Sequence, residues 1–225
     1  MTVIRAGNDL LDALRALGPR PALAWFGEVQ RIELSGAVLA NWVIKAIGHF
    51  ADEIALEPGD LVVLDLPPHW KRLVLALAAW ALGARVQLAD VAAADAAGTD
   101  DAGLDAPRVL ATDRPDAPLA SDCDELLLLS PVSLALRFDG ELPPLAHDWA
   151  EEVRANPDAL LTPLSAWSGP QPAPDDGASV LLIEGDGLED PTRMLQALLA
   201  GRRLVGPASH VDVRAARDEG LDEGR

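Results

Sequence analysis

The sequence contains no tyrosine, one cysteine and only two lysines, Lys45 and Lys71. A lone Cys123 excludes an internal disulfide and a thiolate metal cluster, and it fits a reducing, cytoplasmic compartment. Positive charge is scarce: 18 basic residues stand against 36 acidic ones, and a formal net charge of -18 repels polyanions, which argues against nucleic acid as a partner. Long apolar runs are missing as well. The most apolar stretch, residues 73–82, is too short to span a bilayer and follows Lys71 and Arg72, so it reads as a core helix and not as a membrane segment. The N-terminus lacks a basic start followed by an apolar block and a small-residue cleavage site. No glycine-rich dinucleotide fingerprint follows any apolar run, which argues against a Rossmann dehydrogenase or methyltransferase.

What is present centres on residues 57–90. Glu57, Pro58, Gly59 and Asp60 form a turn signal, because proline presets φ and glycine tolerates positive φ. Residues 61–66 then have the length and branching of a buried strand, and Pro67 and Pro68 end it. Trp70, Leu73, Val74, Leu77 and Trp80 recur at helical spacing, Gly83 is a stop, and residues 85–88 resume extended structure. The pattern predicts a βαβ unit with parallel strands and a right-handed crossover.

Upstream, Leu10, Leu11, Leu14 and Leu17 mark an amphipathic helix, residues 21–26 and 29–34 a hairpin, and Ser35 the N-cap of a helix reaching Ile54. Asn41, Lys45, His49, Asp52 and Glu53 fall on its polar face, where His49 reads as solvated. Downstream, residues 91–107 read as a loop, 108–112 and 125–129 as further strands of the same parallel sheet, 133–138 as a candidate strand, and 147–155 as a helix. The proline-rich stretch 163–178 reads as a linker, residues 179–205 as a strand, helix and strand with Asp190 and Pro191 opening the helix, and 212–225 as a disordered tail. The expectation is an α/β fold over residues 1–211, a mostly parallel sheet with helices on both faces.

Ligands of open α/β sheets bind at the carboxyl ends of strands, which selects Asp65, His69, Trp70, Ser130, Ser133 and Asp186 as candidate ligand-binding residues. Asp65 lacks the second aspartate of a phosphotransfer site, since Pro67 stands there, and the loop Glu184, Gly185, Asp186, Gly187 lacks calcium-loop spacing. His147 and Asp148 with Glu151 and Glu152 offer metal-type donors, but no ligand from elsewhere is identifiable, so no metal is assigned. Trp42 and Trp80 belong to the core; Trp70 and Trp167 are candidate contacts.

Residues 21–90 resemble the N-terminal opening of the adenylate-forming (AMP-binding, acyl-CoA synthetase-like) superfamily: a hairpin, a long helix, the Pro58-Gly59-Asp60 turn, an apolar strand, a helix and a strand after a glycine, in that order. Residues 179–207 are similar to the strand, helix and strand that follow the family's phosphate loop. The chain also resembles short actinobacterial proteins with faint similarity to that family and no assigned activity. The resemblance implies the N-terminal subdomain fold in truncated form. The family's phosphate loop, rich in Ser, Thr and Gly and ending in Pro-Lys-Gly, corresponds to residues 126–149, which hold Ser130 and Ser133 but one glycine and no lysine. The tyrosine of its Tyr-Gly-x-Thr-Glu motif, its Thr-Gly-Asp motif and its C-terminal lysine have no counterpart. The resulting expectation is a binding, regulatory or scaffold protein without catalytic residues, working as a homodimer or with a protein partner. The alternative is a nucleotide- or acyl-CoA-binding enzyme of reduced activity that needs another chain. No cofactor is named by any of these patterns.

Overall fold

The structure is a computed structural model and describes residues 3–27, 30–89, 106–175 and 177–221. Two sheets form, where the sequence pattern indicated one. The first comprises β1 (Pro21–Phe26), β2 (Arg31–Ser35), β8 (Val180–Leu182) and β9 (Arg203–Gly206) in the order β2-β1-β9-β8. Only β1 and β2 are antiparallel; Leu23 pairs in parallel with Leu204, a contact invisible to any local pattern. The second sheet is parallel throughout: β3 (Leu61–Asp65), β4 (Arg85–Leu88), β5 (Val109–Thr112), β6 (Glu125–Leu128) and β7 (His147–Asp148), ordered β4-β3-β5-β6-β7.

The βαβ unit is present as read. Helix α3 (Trp70–Ala81) is buried at all twelve positions, Lys71 and Arg72 included, as expected of a helix that is apolar all round. It packs against α1 (Gly7–Leu17) and α2 (Gly36–Gly48), and the core around it draws Leu23, Leu181 and Leu204 from the first sheet and Val62, Leu64, Val109 and Leu127 from the second. Alternate residues Leu61 and Val63 face the other way, into a smaller cluster with Leu110 and Ala117. Ser35 caps α2 through Val38 N–H, as its position predicts.

Helix α2 gives way to a π-helical segment, His49–Glu53, and His49 is fully buried instead of solvated. The reason is coverage. Helix α4 (Trp149–Ala155) and the residues after it lie over the polar face of α2, where Lys45 pairs with Asp158 at 2.9 Å and His49 bonds Glu152 at 2.8 Å. The helix expected over 147–155 begins only at Trp149, because His147 and Asp148 pair with β6 and the Asp148 carboxylate caps Ala150 and Glu151 N–H. Residues 133–138 make turns, not a strand; the Asp148 side chain accepts the Phe138 N–H at 2.8 Å, and Arg154 Nη2 donates to the Leu136 carbonyl.

The proline-rich segment is no free linker. Trp167 docks on Trp80 with ring centroids 5.7 Å apart, its N–H donates to Arg5 O at 2.9 Å, and Ser168 Oγ donates to Ala84 O at 2.6 Å. Helix α5 (Pro191–Leu199) starts at the expected Asp190 cap. Helix α6 (Val213–Asp218) occupies part of the stretch read as a tail, and Glu219 behind it is buried between Arg31 and Arg203, which supply the partners that the charged composition concealed. The loop predicted over 91–107 lies almost wholly outside the described residues, as does Asp90.

Gly36 lies where α2 approaches α1 closely. A Cβ there would sit 2.3 Å from both Leu14 O and Leu17 Cβ. Gly36→Ala should therefore destabilise by about 1–3 kcal/mol, the usual range for overpacking, and lower the melting midpoint by about 2–4 °C per kcal/mol in a thermal scan.

Candidate functional site

The carboxyl ends of both sheets meet at the start of α3. His69 is the N-cap of that helix: its Nδ1 accepts Lys71 N–H at 3.2 Å, its own N–H donates to Asp186 Oδ2 at 3.0 Å, and Trp25 from β1 packs edge-on against the ring at 5.5 Å. Because Nδ1 is an acceptor, the proton of the neutral ring sits on Nε2, which points at Ser133 Oγ 3.4 Å away. Burial, with Lys71 adding to it, pushes the imidazole down to about 3. His69 is thus a neutral hydrogen-bond donor at physiological pH, and it cannot serve Ser133 as a general base through that nitrogen.

Asp186 is completely buried and is turned inward by a loop that needs positive φ on both sides, at Gly185 (+49°) and Gly187 (+89°). Arg72 meets it with two bonds, Nε at 2.6 Å and Nη2 at 2.8 Å, and also reaches Glu189 and Leu66 O. Burial alone would lower the guanidinium, but the bonds to Asp186 and Glu189 outweigh it and hold it above its usual value. Next to it Lys71, 2 % exposed, donates to two backbone carbonyls, Ser130 O at 3.0 Å and Val132 O at 2.7 Å. Burial, then Arg154, depresses its ammonium to about 8, with Asp148 opposing the fall.

Four of the six sequence-selected residues are therefore linked: His69, Ser130, Ser133 and Asp186 surround the first turn of α3. Asp65 stands apart at the end of β3, where its carboxylate takes Thr112 Oγ1 at 3.2 Å and Arg114 Nη2 at 2.9 and 3.0 Å. Trp70 is a core residue, 2 % exposed and packed on Trp42 at 5.2 Å, so it presents no ring to a ligand from outside. The sequence reading overlooked Lys71, Arg72, Arg114 and Trp25. Two adjacent cations at the N-terminus of an apolar helix oppose the helix dipole, and that was the available signal that specific acceptors hold them.

Three clefts of about 380, 430 and 170 Å³ are lined respectively around Pro172 and Gln196, around Trp80, Val86 and Leu188, and around Trp42 and Lys45; none includes His69, Lys71, Arg72 or Asp186. Among the described residues, no helix is long and apolar enough to cross a membrane.

No family model matches the chain. A TIGR03089 family protein of Mycobacterium tuberculosis is 34 % identical over 87 residues, 38 % of this chain and 36 % of that protein. Among solved structures, the N-terminal domain of FACL13 from Mycobacterium tuberculosis superposes with a TM-score of 0.58 at 13 % identity, over 91 % of this chain and 57 % of that one. An acyl-CoA synthetase of Brucella canis gives 0.53 at 20 % identity, over 73 % of this chain and 30 % of that one. The chain thus spans about a third of the curated relative and between 30 % and 57 % of the solved chains. An α/β arrangement with the βαβ unit of residues 61–88 at its centre and mostly parallel strands is, accordingly, the fold of the N-terminal domain of acyl-CoA synthetases.

Proposed function

We propose that this chain is a non-catalytic protein-binding module, acting in the cytoplasm and built on the N-terminal fold of acyl-CoA synthetases. The observation that carries the reading is the direction of the groups after β6. A phosphate cradle aims backbone N–H groups and a cation at the anion. Here two carbonyls, Ser130 O and Val132 O, aim at Lys71, and the lysine is consumed by them. Arg72 is likewise consumed by Asp186, and His69 offers one neutral N–H.

Tying these carbonyls inward turns neighbouring side chains outward. Val132, Leu134, Leu136, Leu142 and Leu145 are all well exposed, Leu145 at 96 %. Apolar residues so concentrated on one surface segment favour association with another protein. The partner to test first is a second copy of this chain. Light scattering behind a sizing column should give a mass above the monomer's 23.7 kDa, increasing with salt because screening relieves repulsion between chains of charge -18, and falling to the monomer in a Leu134→Glu, Leu136→Glu variant. A strict monomer at high concentration and high salt would contradict self-association.

A further inference from the structure

We propose that His49, His147 and Glu152 form a binding site for one transition-metal dication of the zinc class, with Glu125 orienting His147. The three donors come from three different elements, and one ligand atom from each lies within 4.8 Å of the others. Glu152 Oε2 is bonded by His49 Nε2 at 2.8 Å and by His147 Nδ1 at 2.7 Å, so both imidazoles converge on one carboxylate oxygen. This cluster is separate from the strand-end site: Glu125 opens β6, whereas Ser130 follows its last residue.

The supporting groups are arranged as metal sites require. A ligating histidine ordinarily donates its second N–H to a carboxylate, which sets its tautomer. His147 Nε2 meets Glu125 Oε2 at 3.2 Å, leaving Nδ1 for the metal. Glu152 is oriented by Asp148 N–H, which donates to Oε1 at 3.2 Å and leaves Oε2 for the metal. His49 is held by complete burial beside Phe50, at the start of the π-helical segment, a distortion that is rare and recurs at functional sites. Its Nδ1 has no partner among the described residues.

Zinc bonds of about 2.0–2.1 Å in a tetrahedron separate ligand atoms by about 3.3 Å, so Glu152 Oε2 must draw back from each histidine nitrogen by roughly 0.5 Å. His147 lies on the edge strand β7 and the Glu152 side chain is one-third exposed, which gives that freedom on two sides and leaves solvent a fourth position. Two imidazoles and a carboxylate select zinc-class ions over magnesium or calcium. The other charged groups facing the cluster are Arg108, 3.3 Å from Glu125, and Glu53, near His49. A ligating imidazole must be neutral, so protons compete with the metal for His49 and His147.

The test is titration of the chelator-treated full chain with zinc chloride by calorimetry and with cobalt chloride by absorbance. The expected result is saturation at one equivalent, tetrahedral cobalt bands, a higher melting midpoint with zinc, and weaker binding as pH falls. His147→Ala and Glu152→Gln should each abolish the cobalt bands while far-ultraviolet circular dichroism stays unchanged. Glu125→Gln should weaken affinity about 10–100-fold. No saturable binding to the unmodified chain, or binding that Glu152→Gln and His147→Ala leave intact, overturns the proposal. The cobalt spectrum of the unmodified chain decides the matter even if a variant does not fold.

Discussion

Asp186→Ala is expected to destabilise the chain by about 3–5 kcal/mol, the range for removing one partner of a buried ion pair. Asp186 is fully buried and accepts from Arg72 twice, from His69 N–H and from Leu188 N–H, so its loss strands a buried guanidinium and two amides together. Glu189 remains within 2.9 Å of Arg72 but is 40 % exposed, and a screened partner offsets little. A double variant, Arg72→Met with Asp186→Ala, should recover much of the loss, because two apolar groups in place of a buried pair are often tolerated. Urea unfolding of the single and double variants checks this. Asp65→Ala should have a smaller effect, since its partner Arg114 is more than one-third exposed. Equal effects at the two positions would mean that the fuller burial of the Arg72–Asp186 pair adds nothing to its weight in stability.

The second large effect is on the pH dependence of stability. Lys71 sits at about 8 when folded and near 10.4 in an unfolded chain. Between those values the unfolded state holds a proton that the native state has released, so stability rises with pH across the window, by about 3 kcal/mol in all. Below pH 8 both states are protonated and the penalty for burying the charge is present in full. The absence of tyrosine and the scarcity of lysine make this window unusually clean. Cys123 opposes the trend, because burial raises its thiol and the native state then retains a proton that the unfolded state loses; a Cys123→Ala background removes that contribution. In this background, denaturant midpoints should climb from pH 8 to 10, and Lys71→Met should flatten the climb. A flat profile in the Cys123→Ala background would show that Lys71 is not buried as a cation between Ser130 O and Val132 O.

The central βαβ unit was legible because each boundary carried local chemistry: Pro58 and Gly59 before β3, the two prolines after it, and Gly83 after α3. The first sheet was not, because β1 meets β9 across almost the whole chain, and a two-residue alternation says nothing about a partner so distant in sequence. His49 was misplaced for a related reason. Helical periodicity placed it correctly on the polar face of α2, but only tertiary structure shows that α4 covers this face and satisfies it with Glu152. The strand-end rule found His69, Ser130, Ser133 and Asp186 but overlooked Lys71 and Arg72, whose charge reads as solvated until their buried acceptors are seen. Trp70 fell to the same rule from the other side: a residue next to a strand end still belongs to the core when it is the first residue of a buried helix.

The central claim is that the cations and the histidine at the carboxyl ends of these sheets are engaged within the chain and do not hold a nucleotide or a thioester. Calorimetric titration of the full chain with magnesium ATP, AMP and acyl-CoA tests it most directly. The account predicts no saturable heat at millimolar ligand; saturable binding that Lys71→Met or Arg72→Met abolishes would contradict it.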